Sequence, residues 1–221
     1  NLIVEGKTFD EKALLVQRKH SLGLTQSDMQ TAVSTLPGIT GFSAERSLDT
    51  YALLSHQAKS DAKAIGVSAS YMGLSNLSFA EGRNFTEEED LYAAQVAILG
   101  SQLAQTLFPD GQALGQPVKV NHVWLKVIGV LAARDQNQQE FQGIKLGGEQ
   151  NQLFLPLNTA KSRFRALPLA AELSGFRLQL EDSEQTAQTA RALDFLLKQR
   201  HKDIDDYQLI VPSALLAQQK Q

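Results

Sequence analysis

Cysteine is absent from the 221 residues of this chain, which excludes disulfides, thiolate catalysis and cysteine-rich zinc sites while saying little about compartment. Long hydrophobic runs are absent too. The most apolar window, Val123 to Ala133, is interrupted by Lys126 and is far shorter than the ~20 apolar residues a helix needs to cross a bilayer. A basic excess is also missing: 21 Lys and Arg stand against 24 Asp and Glu, a formal net charge of -3. Such a balance offers no broad surface for phosphates, so nucleic acid is not expected as a partner. No Gly-x-x-x-x-Gly-Lys-Ser/Thr loop occurs, nor a dinucleotide fingerprint, a His-Glu-x-x-His pair or a Gly-x-Ser-x-Gly elbow, and each of those absences removes the chemistry it would carry. The four histidines, His20, His56, His122 and His201, have no metal-ligand spacing and are expected at the surface or in hairpins. The acids after His201, namely Asp203, Asp205 and Asp206, lack the Gly and closing Glu of a calcium loop and are expected in a solvated turn. Asn1-Leu2-Ile3-Val4-Glu5 has none of the three regions of a signal peptide, and the chain suits either a mature product or a piece of a larger protein.

What is present is enough apolar material, 43% of the residues, for one core or two small ones. Thr25 with Asp28 forms the sequence signature of a capped helix, Met29, Ala32, Val33 and Leu36 supply its stripe, and Pro37-Gly38 ends it. Strands are expected at Ile39 to Ala44 and Ala64 to Ala69, and Ser70 as the cap of a short helix through Asn76. The same alternation returns later. Leu153 to Leu155 reads as a strand, Asn158 to Ala166 as a helix, and Phe176 to Leu180 as a strand. Ser183 is expected to cap the longest helix, which runs to His201, and Tyr207 to Val211 to form a last strand. Between these halves, Gln95 to Gly100 is an apolar strand and Ser101 opens a helix with Leu103, Leu107 and Phe108 inward. Val118 to Val120 and Val123 to Leu131 read as a hairpin turning at Asn121-His122. The acids Glu87-Glu88-Glu89-Asp90 follow Thr86, a good cap, and are read as a helix start. Arg134 to Gln152 is polar, rich in Gln and Gly, and is expected as a long exposed loop with at most a short strand inside.

From Gly66 to Gly129 a set of short motifs follows in order: Gly66-Val67-Ser68, Glu81-Gly82-Arg83-Asn84-Phe85, Val96-Ala97-Ile98-Leu99-Gly100-Ser101, Leu107-Phe108, Leu114-Gly115-Gln116-Pro117-Val118 and Val127-Ile128-Gly129-Val130. Each is weak alone. Their ordered combination resembles the periplasmic core domain of MacB-type ABC transporter permeases, the branch that also holds LolC, LolE and FtsX-like proteins. The resemblance is best over residues 64–160, weaker over 183–211 and poor before residue 24. It implies an α+β fold in which a discontinuous βαβ porter-like subdomain, residues 1–85 plus 153–221, carries an inserted small α/β subdomain, residues 86–152. Gly82, Arg83, Phe85, Gly100, Gly115 and Gly129 then stand as structural motif residues. Gly82 and Gly115 are expected to supply turn conformations, Phe85 and Phe108 to fill the core, and Arg83 to pair with Glu81 or a backbone carbonyl.

The resemblance implies a chain with no catalytic residues, no metal and no cofactor, ATP being bound by a separate cytoplasmic domain. It implies a place on the periplasmic face of the bacterial inner membrane, transmission of ATP-driven motion, and docking of a partner for export or extrusion of peptides, drugs or lipoproteins. Expected partners are the ATPase domain and transmembrane helices of the same permease, a second permease copy, and a periplasmic adaptor or lipoprotein. The exposed loop supplies the candidate partner contacts Gln138, Glu140, Phe141 and Lys145. The alternative is an FtsX-like regulatory or sensing domain that holds a periplasmic partner such as a cell-wall hydrolase, which an exposed apolar groove for a partner helix would favour.

Overall fold

The computed structural model describes residues 1–134, 140–141, 144–145 and 148–211. The chain opens with β1 (Leu2–Gly6), α1 (Glu11–Gln17), α2 (Gln26–Thr35) and β2 (Ile39–Ser47). It continues through β3 (Leu53–Leu54), β4 (Lys59–Ser60), β5 (Lys63–Val67), α3 (Tyr71–Leu74), β6 (Phe79–Gly82), α4 (Glu87–Leu91), β7 (Val96–Leu99), α5 (Ser101–Leu107), β8 (Pro117–Val120) and β9 (Val123–Leu131). Then come β10 (Glu140–Phe141), β11 (Ile144–Lys145), β12 (Gln152–Pro156), α6 (Leu157–Arg163), β13 (Gly175–Leu180), α7 (Thr186–Arg200) and β14 (Tyr207–Ile210). These elements fall into two compact units, one of residues 1–45 with 167–221 and one of residues 46–166.

In the first unit the strand order is β14-β1-β13-β2 with every neighbouring pair antiparallel. β1 and β2 are therefore parallel to each other across β13, and β13 and β14 across β1, each pair joined through a helical segment. This is the interleaved split βαβ, or ferredoxin-like, arrangement. β1 is buried on both faces at Leu2, Ile3 and Val4, as a central strand must be. α7 turns Thr189, Leu193 and Leu197 inward and α2 turns Met29 and Ala32 inward, against a core that includes Phe176 and Leu178. The Thr25–Asp28 capping box of α2 is formed in both directions.

In the second unit β5 pairs parallel with β12, β12 antiparallel with β7, and β7 parallel with β9. The sheet continues antiparallel through β8 and β3 to β4. β9 is long enough to pair with β8 along its first half and with β6 along its second, where Gly82 lies opposite Gly129. One apolar cluster holds Leu103, Leu107, Val127, Leu155, Ala160 and Phe164, so α5 and α6 cover that face. Another holds Tyr71, Met72, Phe85, Ile98, Ile128 and Phe154.

Four sequence expectations change. The boundaries fall at 45/46 and 166/167 and not at 85/86 and 152/153, because β5 and β12 pair with one another and β12 continues into β7, which ties residues on both sides of the expected cut into one sheet. Ser70 does occupy the N-cap position of α3, but with a helical backbone conformation and no side-chain capping bond. The N-terminal cap expected from Ser183 is supplied by Asp182, which accepts from the Glu184 N–H at 2.9 Å and starts a 3-10 turn before α7 begins at Thr186. In the stretch expected as a loop, β10 and β11 pair antiparallel and Gly148–Asn151 forms a 3-10 turn; the residues between these lie outside the described ones.

Candidate functional site

A buried group of ionisable side chains lies in the first unit, where the C-terminal end of α7 meets the start of α2 and the turn before β14. His201 is 2% exposed and Asp28 3%. The His201 Nε2 lies 2.8 Å from Asp28 Oδ2, and its Nδ1 lies 2.7 Å from Asp206 Oδ1. Ser21 donates its hydroxyl to Asp206 Oδ2 at 2.7 Å, and Arg200 donates from Nε to Asp28 Oδ1 at 2.6 Å. Arg18 stands 3.9 Å from Asp206. Burial opposes the charge on His201, but the bonds to Asp206 and Asp28 outweigh it and raise its pKa to about 9. Burial likewise pushes both carboxyls up, and the His201 bonds, helped by Arg200 on Asp28 and by Ser21 on Asp206, bring each below the ordinary carboxylate range.

A serine, a histidine and two aspartates in contact invite a catalytic interpretation, which the bonding opposes. A general base needs a free imidazole lone pair facing the serine hydroxyl. Here both ring nitrogens face carboxylates, which favour the protonated ring, and although Ser21 Oγ also lies 3.1 Å from Nδ1, its hydroxyl donates to Asp206. The cluster is an ionic clasp between α2, α7 and the 202–206 turn. It corrects the expectation that His201 is a surface residue and that Asp206 belongs to a solvated turn. His201 and Asp28 are 173 positions apart, and the sequence signal at Asp28 was fully used by the helix cap.

The second unit places the six motif residues as follows. Gly82 has φ +72°, and a Cβ there would collide with the Ile128 carbonyl oxygen. Gly129 has no room either, since a Cβ would lie 2.6 Å from the Arg83 carbonyl oxygen and 2.8 Å from the Phe79 ring. Arg83 donates its N–H to Ile128 at 3.0 Å, so Gly82, Arg83 and Gly129 together form the close crossing of β6 on β9. The Arg83 guanidinium reaches Glu89, at 2.6 Å, and the Asn84 carbonyl, and not the Glu81 that sequence proximity suggests. Phe85 is buried in the cluster with Tyr71 and Phe154. Gly100 precedes α5, where a Cβ would meet the Gln150 carbonyl oxygen at 2.5 Å, and Gly115 takes φ +82° in an open turn. Gln138 lies outside the described residues, and Glu140, Phe141 and Lys145 are described only as backbone of β10 and β11.

A groove of about 460 Å³ opens in the first unit between the Leu36-Pro37-Gly38 turn, Leu180 and the Gln188, Thr189 and Ala192 face of α7. Among the described residues no helix is long and apolar enough to cross a membrane.

A profile of the MacB-like periplasmic core domain family matches residues 4–195. The chain belongs to that family. It is thus a periplasmic domain of the MacB-like ABC transporter permease type. The match starts well before residue 24, where the short motifs fade, and so includes the second half of β1 and all of α1. Among relatives, the chain is 30% identical over 151 residues to the macrolide export ATP-binding/permease protein MacB of Chromobacterium violaceum, covering 67% of this chain and 22% of that protein. It is 26% identical over 155 residues to the ABC transporter permease YknZ of Bacillus subtilis, covering 70% and 36% respectively. The chain therefore spans about a fifth to a third of the length of these relatives. Its fold is that of the periplasmic region of MacB from Actinobacillus actinomycetemcomitans, with a TM-score of 0.74, 19% identity and coverage of 99% of this chain and 91% of that one. The extracellular domain of YknZ gives a TM-score of 0.70 at 23% identity, covering 96% and 100%.

Proposed function

We propose that this chain is the lever and docking domain of an ABC transporter permease. In this account its ends continue into membrane helices, two copies work together, and it passes the motion of a separate ATP-hydrolysing domain to the periplasm. It carries no catalytic site and binds no nucleotide or other cofactor itself. A periplasmic adaptor or a lipoprotein docks on it, with Gln138, Glu140, Phe141 and Lys145 as contact candidates, during export of peptides, drugs or lipoproteins.

The observation that carries this is the pairing at the chain ends. β1 and β14 are antiparallel neighbours, with Ile3 opposite Ile210, so Asn1 and Val211 leave the same end of one well-packed unit. A domain held at two adjacent points on one end moves as a body when those points move. The lack of chemistry is supported by the ionic clasp, in which the buried histidine has no nitrogen left to act as a base.

The test is the coding sequence on both sides of the chain. A transmembrane segment encoded directly before Asn1 and further ones after Gln221 are the expected result. A cleavable signal peptide before Asn1 and a stop codon just after Gln221 would overturn the lever.

A further inference from the structure

One face of the second unit's sheet carries an exposed group at its β8–β9 end. Trp124, the single tryptophan of the chain, is 42% exposed on β9. Its cross-strand partner on β8 is Lys119, whose partner on β3 is in turn Leu54. Directly paired residues share a face of the sheet, so Trp124, Lys119 and Leu54 form a row across three strands. Lys126, two residues beyond Trp124 on β9, is exposed on the same face. The His56 ring stacks on the indole with centroids 5.3 Å apart, and Lys119 Nζ lies 5.9 Å from the indole centroid. Neither Lys119 nor Lys126 makes an ion pair among the described residues, on a chain whose acids outnumber its bases by 24 to 21.

We propose that this face docks an acidic segment of a partner protein, laid against Trp124 between Lys119 and Lys126. Tryptophan is the residue type that most often anchors interfaces, and it does so best when its rotamer is already fixed. Here His56 and Lys119 hold the ring in place before any partner arrives. Two unneutralised ammonium groups flanking it select for carboxylates and against basic surfaces. A bilayer fits less well: membrane anchoring needs apolar side chains that project freely, whereas this indole is held by its neighbours and Leu54 is half-buried. The inference rests on the docking role proposed above and adds a surface distinct from the β10–β11 segment.

The lone tryptophan makes the test direct. The 221-residue chain is titrated at low ionic strength with a blocked six-residue peptide of four glutamates around two leucines, and Trp124 emission is followed. A matched peptide with lysines in place of glutamates, and vesicles containing phosphatidylglycerol, are titrated in parallel. The expected result is a saturable change with the acidic peptide that weakens as salt is added, with no change from the lysine peptide or the vesicles. In the doubly substituted K119E/K126E chain, its folding verified by an unchanged melting temperature, affinity falls at least tenfold. Absence of saturable binding, equal binding by K119E/K126E, or a response to vesicles and not to peptide overturns the proposal. None of these results touches the lever, whose test lies in the flanking coding sequence.

Discussion

His201 is the residue on which the first unit's ionic balance turns. Its pKa is about 9 in the folded chain against an ordinary 6.5, so the folded state binds the proton more tightly than the unfolded one. That contribution is complete below about pH 6.5, shrinks as pH rises and is gone above about pH 9. Asp28 and Asp206 have lowered values, and their contribution is present above the ordinary carboxylate range and is lost as pH falls through their folded pKa values. Stability from the clasp is therefore greatest between about pH 5 and about pH 6.5. Replacing His201 with Ala leaves two buried carboxylates facing Arg200, Arg18, Ser21 and the Thr25 N–H and is expected to cost about 3 kcal/mol near neutrality. Denaturant melts of both chains from about pH 5 to about pH 10 should converge as pH rises; parallel curves would show that His201 is not the titrating group. The glycines supply a second contrast at this scale. Gly115→Ala meets only open space at φ +82° and is expected to cost about 1 kcal/mol. Gly82→Ala has the same backbone strain and also strikes the Ile128 carbonyl, so it should cost at least about 2 kcal/mol. Equal melting temperatures for the two variants would remove the close β6–β9 crossing as the reason for Gly82.

Among elements, those with a local chemical signal were readable and those made by distant partners were not. α2 and α4 each carry a formed capping box, Thr25 with Asp28 and Thr86 with Glu89, because a cap is written within four residues. The β8–β9 hairpin turns at Asn121, which adopts φ +54° as an asparagine in that position can. By contrast, β3 and β4 are two-residue strands and β6 pairs through an irregular register; none has a period long enough to detect. The acidic start of α4 shows how a local signal hides a longer one. Glu89 caps the helix and also receives Arg83, while Asp90 accepts from the Asn158 N–H at the start of α6. The Arg83 pair is largely exposed at the arginine, 57% by side chain, and exposed pairs contribute little. Thr86→Ala should therefore cost about 1 kcal/mol, while Arg83→Ala should stay within about 0.5 kcal/mol of the parent. The reverse order in chemical denaturation would mean that the ion pair, and not the cap, holds α4.

At the scale of the molecule, the α+β character and the family were legible because the motifs from Gly66 to Gly129 kept their order, but the unit boundaries were not. β5 and β12 each announce a strand, yet nothing in either says that Lys63 lies opposite Gln152, and that pairing moves both strands into the second unit. The clasp was hidden for the same reason, since its members come from α1's end, α2, α7 and the last turn. The interleaved strands of the first unit, with Asn1 and Val211 at the same end of it, are the physical basis of the proposed lever: a unit whose internal distances would stay fixed while its position changes. The absence of cysteine from this chain allows labels to be placed in it one at a time. The most direct measurement uses the parent permease reconstituted in lipid, with spin labels at exposed Lys12 and Gln188. The account predicts that the distance between the Gln188 labels of two copies changes through the ATP cycle, while the Lys12 to Gln188 distance within one copy does not. An inter-copy distance indifferent to ATP, or an equal change inside one copy, would contradict it.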